Sequence, residues 1–148
     1  MKTLKTNLDL LSLKKTKTDL PRVQITNAED AANYIRNFYF DDIEIYESFF
    51  LLLLNRNKNT IGYAKISQGG VAGTVVDIKF IAKYIADTCA SGIIIAHNHP
   101  SGNKKPSMDD LKVTQKVKNI MQFFDCVLFD HIILTEKSYF SFANDGTL

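Results

Sequence analysis

Tryptophan is absent from these 148 residues, and only two cysteines occur, Cys89 and Cys126. Thiols so far apart, in different predicted elements, argue against a disulfide framework and against a thiolate metal cluster. They read as two small buried side chains in a reducing compartment. No apolar run approaches the ~18–20 residues that cross a bilayer, so no membrane partner is expected. The N-terminal LDLLSL is interrupted by polar residues and followed by KKTKT, which makes a poor secretory leader and predicts a cytoplasmic protein. A strong charge imbalance is also missing: the net charge of +2 is too mild to imply nucleic-acid binding by itself. There are no internal repeats or low-complexity segments.

What is present suits one compact domain with a real core, since 45% of the residues are apolar and 23% charged. The positive excess is local. Lys2, Lys5, Lys14, Lys15 and Lys17 face only Asp9 and Asp19 in residues 1–20, so five minus two gives +3 there and −1 for the rest. The organisation predicted is a flexible basic N-terminal arm over 1–20 and a single domain over 21–148.

Along that domain, TNAEDAANYIRNFYF predicts a helix, with Thr26 and Glu29 as a capping box and Ala28, Ala31, Ile35 and Phe38 at helical spacing. YESFFLLLLN is a strand too apolar to be exposed on either face, and TIGYAKIS is its hairpin partner across the RNKN turn. QGGVAGTVV combines a Gly-rich loop with a short strand. DIKFIAKYIADTCA is a helix that Asp77 can cap, with Ile78, Ile81 and Ile85 on one face. GIIIAHNH is a buried strand and PSGNKKP a loop. SMDDLKVTQKVKNIMQFFD is a helix with Val113, Val117, Ile120 and Phe124 on its apolar face, and CVLFDHIILT and YFSF close the sheet around a turn at Glu136–Ser138. The order predicts an α/β fold, a mixed sheet flanked by helices.

The chemistry concentrates in HNHPSGNKKPSMDD. The chain has only three histidines, and two of them, His97 and His99, stand two residues apart where a strand ends. Side chains at i and i+2 of an extended segment point the same way, so both imidazoles can meet one ion. Asp110, in the first turn of the helix that begins near Ser107, can aim a carboxylate back at the strand end. Two imidazoles and one carboxylate, with a fourth position left to water, make an open tetrahedral zinc site of the catalytic type. Ser107 and Asp110 also have the spacing of a capping box, and Asp109 and Asp110 complement the helix dipole without any metal.

This run resembles the JAMM (MPN+) metallopeptidase signature, and HNHPSG…PS with the later DHIILT…YFSF resembles the bacterial RadC family. The likeness covers about Pro21 to Leu148. It takes in the JAB-type domain but not the N-terminal helix-hairpin-helix region of longer RadC proteins. It implies a JAB/MPN-like (cytidine-deaminase-like) fold, with His97, His99 and Asp110 as zinc ligands. It implies that Ser107 stabilises the oxyanion of a tetrahedral intermediate, and that an upstream glutamate carries the proton between the attacking water and the leaving amine. Of the four glutamates, Glu47 at the head of ESFFLLLL matches that context, and Glu44 is the alternative. His131 resembles a family position; as a further ligand it would close the site, so a structural role linked to Asp130 or to a metal-bound group is expected. Lys104 and Lys105 read as a solvated loop tip.

The function implied is a zinc-dependent hydrolase of amide or isopeptide bonds, with a peptide or protein as substrate. The alternative is a RadC-like accessory of DNA repair or a metal-dependent nuclease, supported by the basic arm and by Lys104, Lys105, Lys112, Lys116 and Lys118; nucleic acid therefore stays open as a partner. A fold of this kind that has lost turnover and serves only as a binding module is disfavoured by the intact ligand set. Exposed edge strands also leave a homo-oligomer open.

Overall fold

SFFLLLL can bury every side chain only inside a sheet covered on both faces, and it does so. The structure, a computed structural model, describes residues 1–70 and 75–148. Its elements are α1 (Ala28–Arg36), β1 (Ser48–Leu54), β2 (Thr60–Gln68), α2 (Ile78–Thr88), β3 (Gly92–Asn98), α3 (Met108–Met121), β4 (Val127–Leu134), β5 (Tyr139–Ser141) and α4 (Phe142–Asp145). Five strands form one mixed sheet in the order β2-β1-β3-β4-β5, in which only the β3–β4 pair is parallel. The α/β class and the flanked mixed sheet expected from the sequence are what the chain forms. Residues 1–19 carry no helix or strand and are almost wholly exposed.

The period of two along each strand divides the core. Phe50, Leu52 and Leu54 of β1 join Ile94, Ala96, Ile132 and Leu134 against α1 and the buried Phe38 and Tyr39. Phe49, Leu51 and Leu53 join Ile93, Ile95 and Leu128 against Ile81 and Ile85 of α2 and Val117 and Met121 of α3. Alternation therefore sends the ends of β3 in opposite directions: His97 follows Ile93 and Ile95 to the α3 side, and Asn98 follows Ile94 and Ala96 to the α1 side.

Several local details differ from the sequence reading. Helix α1 is capped by Asn27, whose side chain accepts from the Asp30 N–H, and the Asp30 carboxylate turns back to the Thr26 backbone N–H and hydroxyl. The box is thus one residue later than Thr26–Glu29. The helix stops at Arg36 because the Asn37 amide binds the Asn33 and Tyr34 carbonyls, and Phe38 then enters the core from a turn. Cys126 is buried as expected, but Cys89 is exposed, occupying the left-handed position after α2 at φ 51°. On α3 the buried residues are Thr114, Val117 and Met121; Val113 and Ile120 are half-buried, and Phe124 is exposed in the 3₁₀ turn after the helix. The short strand expected within 68–76 falls largely on 71–74, outside the described residues.

One side chain ties α1 to the far edge of the sheet. Arg36 donates to the carbonyls of Thr135 (2.6 Å), Glu136 (3.1 Å) and Ser138 (2.7 Å), closing the turn between β4 and β5. A planar guanidinium reaches three carbonyls that a lysine ammonium cannot span together. Replacing Arg36 by Ala is expected to cost about 2 kcal/mol of unfolding free energy, as loss of charge-assisted bonds does. Arg36→Lys should recover less than half of that. Urea titration with an unchanged slope would establish both.

Candidate metal centre

At the end of β3 the two histidines present the same nitrogen to one point. His97 Nε2 and His99 Nε2 are 2.9 Å apart. His97 Nε2 lies 3.1 Å from Asp110 Oδ1, and His99 Nε2 lies 3.3 Å from Asp110 Oδ2. Donors bound at 2.0–2.2 Å to a tetrahedral ion stand about 3.3 Å apart, so the triangle matches a metal-binding face within a few tenths of an ångström. Among the described residues this is the group of three or more His, Cys, Asp or Glu that can hold a metal ion.

The protons on the rings follow from their other partners. Thr114 Oγ1 lies 2.6 Å from the Asp110 carbonyl, which can only accept, so the threonine hydroxyl donates there. Its oxygen then accepts from His131 Nδ1 at 2.6 Å, which leaves His131 Nε2 as an acceptor. That nitrogen accepts a hydrogen bond from His97 Nδ1–H at 2.8 Å, and His97 Nε2 is left with a lone pair. His99 reaches the same state separately, because its Nδ1 donates to the Asn103 carbonyl at 2.6 Å. Two lone pairs and a carboxylate thus converge, an arrangement that calls for a cation.

Electrostatics agree with the relay. Burial, reinforced by the neighbouring His97, pushes His131 well below the ordinary histidine range and keeps it neutral. Burial alone would raise Asp110, but whenever an Nε2 proton takes the place of an ion between them, hydrogen bonds from His97 and His99 outweigh it and hold the carboxyl well below the usual carboxylate range. Burial likewise opposes charging of His99, yet its bonds to Asp110 and to the Asn103 carbonyl leave its affinity for a proton raised. Phe49 stacks on His97 with ring centroids 5.9 Å apart, and Phe142 stacks on His131 at 4.6 Å, fixing both ring planes.

Ser107 and Asp110 form the complete capping box of α3. The Ser107 N–H donates to Asp110 Oδ2 at 2.7 Å, and Ser107 Oγ accepts from the Asp110 N–H at 3.1 Å, leaving the serine proton free to donate. Glu47 lines a cavity with His99, Pro100, Ser101, Asn103 and Lys105, whereas Glu44 is exposed on the preceding loop. Burial holds the Glu47 carboxyl above its usual range, against the pull of His97 and His99. His131 stands behind His97, not at the convergence point. Its backbone N–H donates to Asp130 Oδ1 at 2.7 Å, and Asp130 also accepts from Ser141 Oγ at 2.5 Å and from the Ala143 N–H at 3.0 Å. Asp130 thereby fixes the start of α4. Lys104 and Lys105 are both exposed.

Sequence reasoning passed over two residues. Thr114 is one helical turn after Asp110 and is a polar residue in an apolar stripe, which was the available signal. Asn98 lies between the two histidines on the opposite face of the strand, where its side chain is fully buried.

A family model described as the RadC-like JAB domain matches residues 25–147. Among curated proteins, the chain is similar to a UPF0758 protein of Flavobacterium johnsoniae, 36% identical over 93% of this chain and 56% of the relative. It is similar to a UPF0758 protein of Porphyromonas gingivalis, 36% identical over 93% of this chain and 61% of the relative. A third, from Coprothermobacter proteolyticus, is 36% identical over 82% of this chain and 53% of its own length. The chain therefore spans about half the length of the curated relatives it matches.

The relay makes a specific demand on Thr114. Thr114→Val leaves the His131 Nδ1–H without an acceptor, frees the other tautomer and is expected to weaken affinity for a divalent metal ion about 10- to 100-fold, the usual effect of losing a ligand-orienting partner. Thr114→Ser keeps the hydroxyl and should retain near wild-type affinity in chelator competition. Equal affinity for the valine variant would show that the relay does not set the tautomer.

Proposed function

The chain belongs to the RadC-like JAB domain family, and on that premise we propose that it is a zinc-dependent hydrolase cleaving an amide or isopeptide bond of a peptide or protein. JAB domains are often metal-dependent hydrolases. The observation that carries the reading here is the convergence of two lone-pair nitrogens and a carboxylate beside a cavity lined by Glu47.

In this reading His97, His99 and Asp110 hold the ion, and the donor set of two imidazoles and one carboxylate suits zinc. Zinc bound there supplies Lewis acidity, lowering the pKa of a coordinated water to about 7 and polarising a carbonyl. Glu47 takes the proton of the attacking water on its carboxylate and returns it to the departing amide nitrogen. Partial burial suits that work, because a carboxylate with raised proton affinity is a stronger base than one in water. Ser107, whose oxygen accepts the Asp110 N–H, keeps its O–H free to donate to the developing oxyanion.

The unpaired Cys89 and Cys126 fit a reducing cytoplasm, and no helix among the described residues is long and apolar enough to cross a membrane. A DNA-directed role draws on the lysines around α3. Of these, Lys112 stands 3.9 Å from Asp109 and Lys118 donates to the Leu148 carbonyl at 3.0 Å, while Lys104, Lys105 and Lys116 are exposed.

Purified protein is expected to carry one zinc per chain and to hydrolyse a fluorogenic peptide library only while the metal is retained. Glu47→Gln should keep the zinc and lose about a thousandfold in kcat, within the range for a general base. Asp110→Asn should lose zinc and activity together. A chain that binds no stoichiometric zinc, or a Glu47→Gln variant as active as wild type, overturns the proposal.

A further inference from the structure

We infer that Asn98, the residue between the two histidines, is a positioning residue that fixes the Glu47 segment to the strand carrying the metal ligands. The inference rests on the reading of Glu47 as the proton carrier and adds how that carboxylate is kept in place.

The backbone ladder between β1 and β3 ends at the pair Phe49–His97. The β1–β3 pairing goes no further, and the chain before β1 is the loop bearing Ile43 to Glu47. Asn98 continues the connection with its side chain. Its Oδ1 accepts the Ser48 N–H at 2.8 Å, and its Nδ2 donates to the carbonyls of Ile43 at 2.6 Å and Tyr46 at 2.7 Å. One amide therefore holds the peptide groups on both sides of Glu47. The Glu47 carbonyl accepts the Gly69 N–H at 2.9 Å, and the Ser48 carbonyl accepts the Tyr39 hydroxyl at 3.0 Å, so the backbone around residue 47 is fixed on every side.

The residue type is dictated by the partners. Two carbonyls need two donors and one N–H needs an acceptor, and asparagine supplies that set from a single short side chain. Aspartate keeps the acceptor but sets a carboxylate oxygen against two carbonyls. Asn98 is 0% exposed, so no water replaces a lost bond without rearrangement. Because His97 and His99 project from the opposite face of the same three residues, strand end and Glu47 move as one body.

The zinc-loaded Asn98→Ala variant is the first test, followed by amide hydrogen exchange and peptide hydrolysis. Zinc affinity should fall by well under the tenfold that loss of a ligand-orienting partner brings. Exchange over residues 43–48 should accelerate about tenfold or more, while β3 and β4 stay protected. Turnover should drop about 10- to 100-fold through kcat rather than KM, the effect of a misplaced group. In the Glu47→Gln background the same substitution should cost nothing further, because both changes remove one function. Asn98→Asp should keep the Ser48 amide protected and release 43–46 alone, which also serves if the alanine variant folds poorly. Unchanged exchange over 43–48 overturns the inference, as does a kinetic loss that adds fully to that of Glu47→Gln. Absence of zinc-dependent turnover in the wild type overturns the hydrolase reading instead, and the exchange measurements then decide the role of Asn98 by themselves.

Discussion

Two imidazole nitrogens that each present a lone pair, with a carboxylate alongside, repel one another unless positive charge lies at their centre. Here the nitrogens are 2.9 Å apart. What keeps them so is not attraction within the cluster but the hydrogen bonds behind it. The Asp110 carbonyl, Thr114, His131 and His97 form a chain in which each group has one remaining choice. The chain begins at a backbone oxygen that cannot donate, so its direction is set. Where no ion is present, a proton is the only substitute, and the raised proton affinity of His99 beside Asp110 expresses that. Proton and metal ion thus compete for the same point.

The fold turns this constraint into a site through one strand. β3 is buried along its whole length and paired on both sides, antiparallel to β1 and parallel to β4. Its end cannot drift, and its alternating side chains serve two layers at once. His97 faces α3, where Asp110 and Thr114 lie one turn apart on the same helix face. Asn98 faces the α1 layer and takes hold of the loop that brings Glu47. The β3–α3–β4 crossover places His131 opposite Ile95, next to the strand position that His97 follows. Ligand, relay and loop anchor are thereby consequences of pairing register more than of any single contact.

Much of this is legible in the sequence. The apolar run from Phe49 to Leu54 announced a strand buried on both faces, Asp77 announced the cap of α2, and the HxH…S..D spacing announced that strand end and helix start would meet. The sequence pattern failed where tertiary contacts chose among local options. Asn27 and Asp30 took the cap from Thr26 and Glu29 because the Asp30 carboxylate reaches two donors on Thr26. Cys89 lies outside the core because the chain must reverse after α2 to enter β3. Thr114 offers only the weak signal of a polar residue in an apolar stripe, and Asn98 carries none of its own in one sequence. A threonine in a helix and an asparagine at a strand end are ordinary, and their meaning comes from a histidine 17 residues away and from carbonyls 55 and 52 residues away.

Asp110 shows how a carboxylate that could hold an ion keeps its place without one. A carboxylate held only by a metal would destabilise the helix start whenever the ion left. This one is already bonded to the Ser107 N–H, and its own N–H is already taken by Ser107 Oγ. The capping box, worth about 1 kcal/mol to a helix, therefore holds the Asp110 carboxylate in this pose independently of any ion. His99 is anchored in the same way through Asn103, and His97 through His131. Each donor has a permanent protein partner, and each keeps one unused direction. Those directions meet at one point, so binding an ion requires little rearrangement of the protein. An ion held by so few donors keeps room for water and substrate. Structural metal sites take the opposite course and close around the ion, and their folding then depends on it.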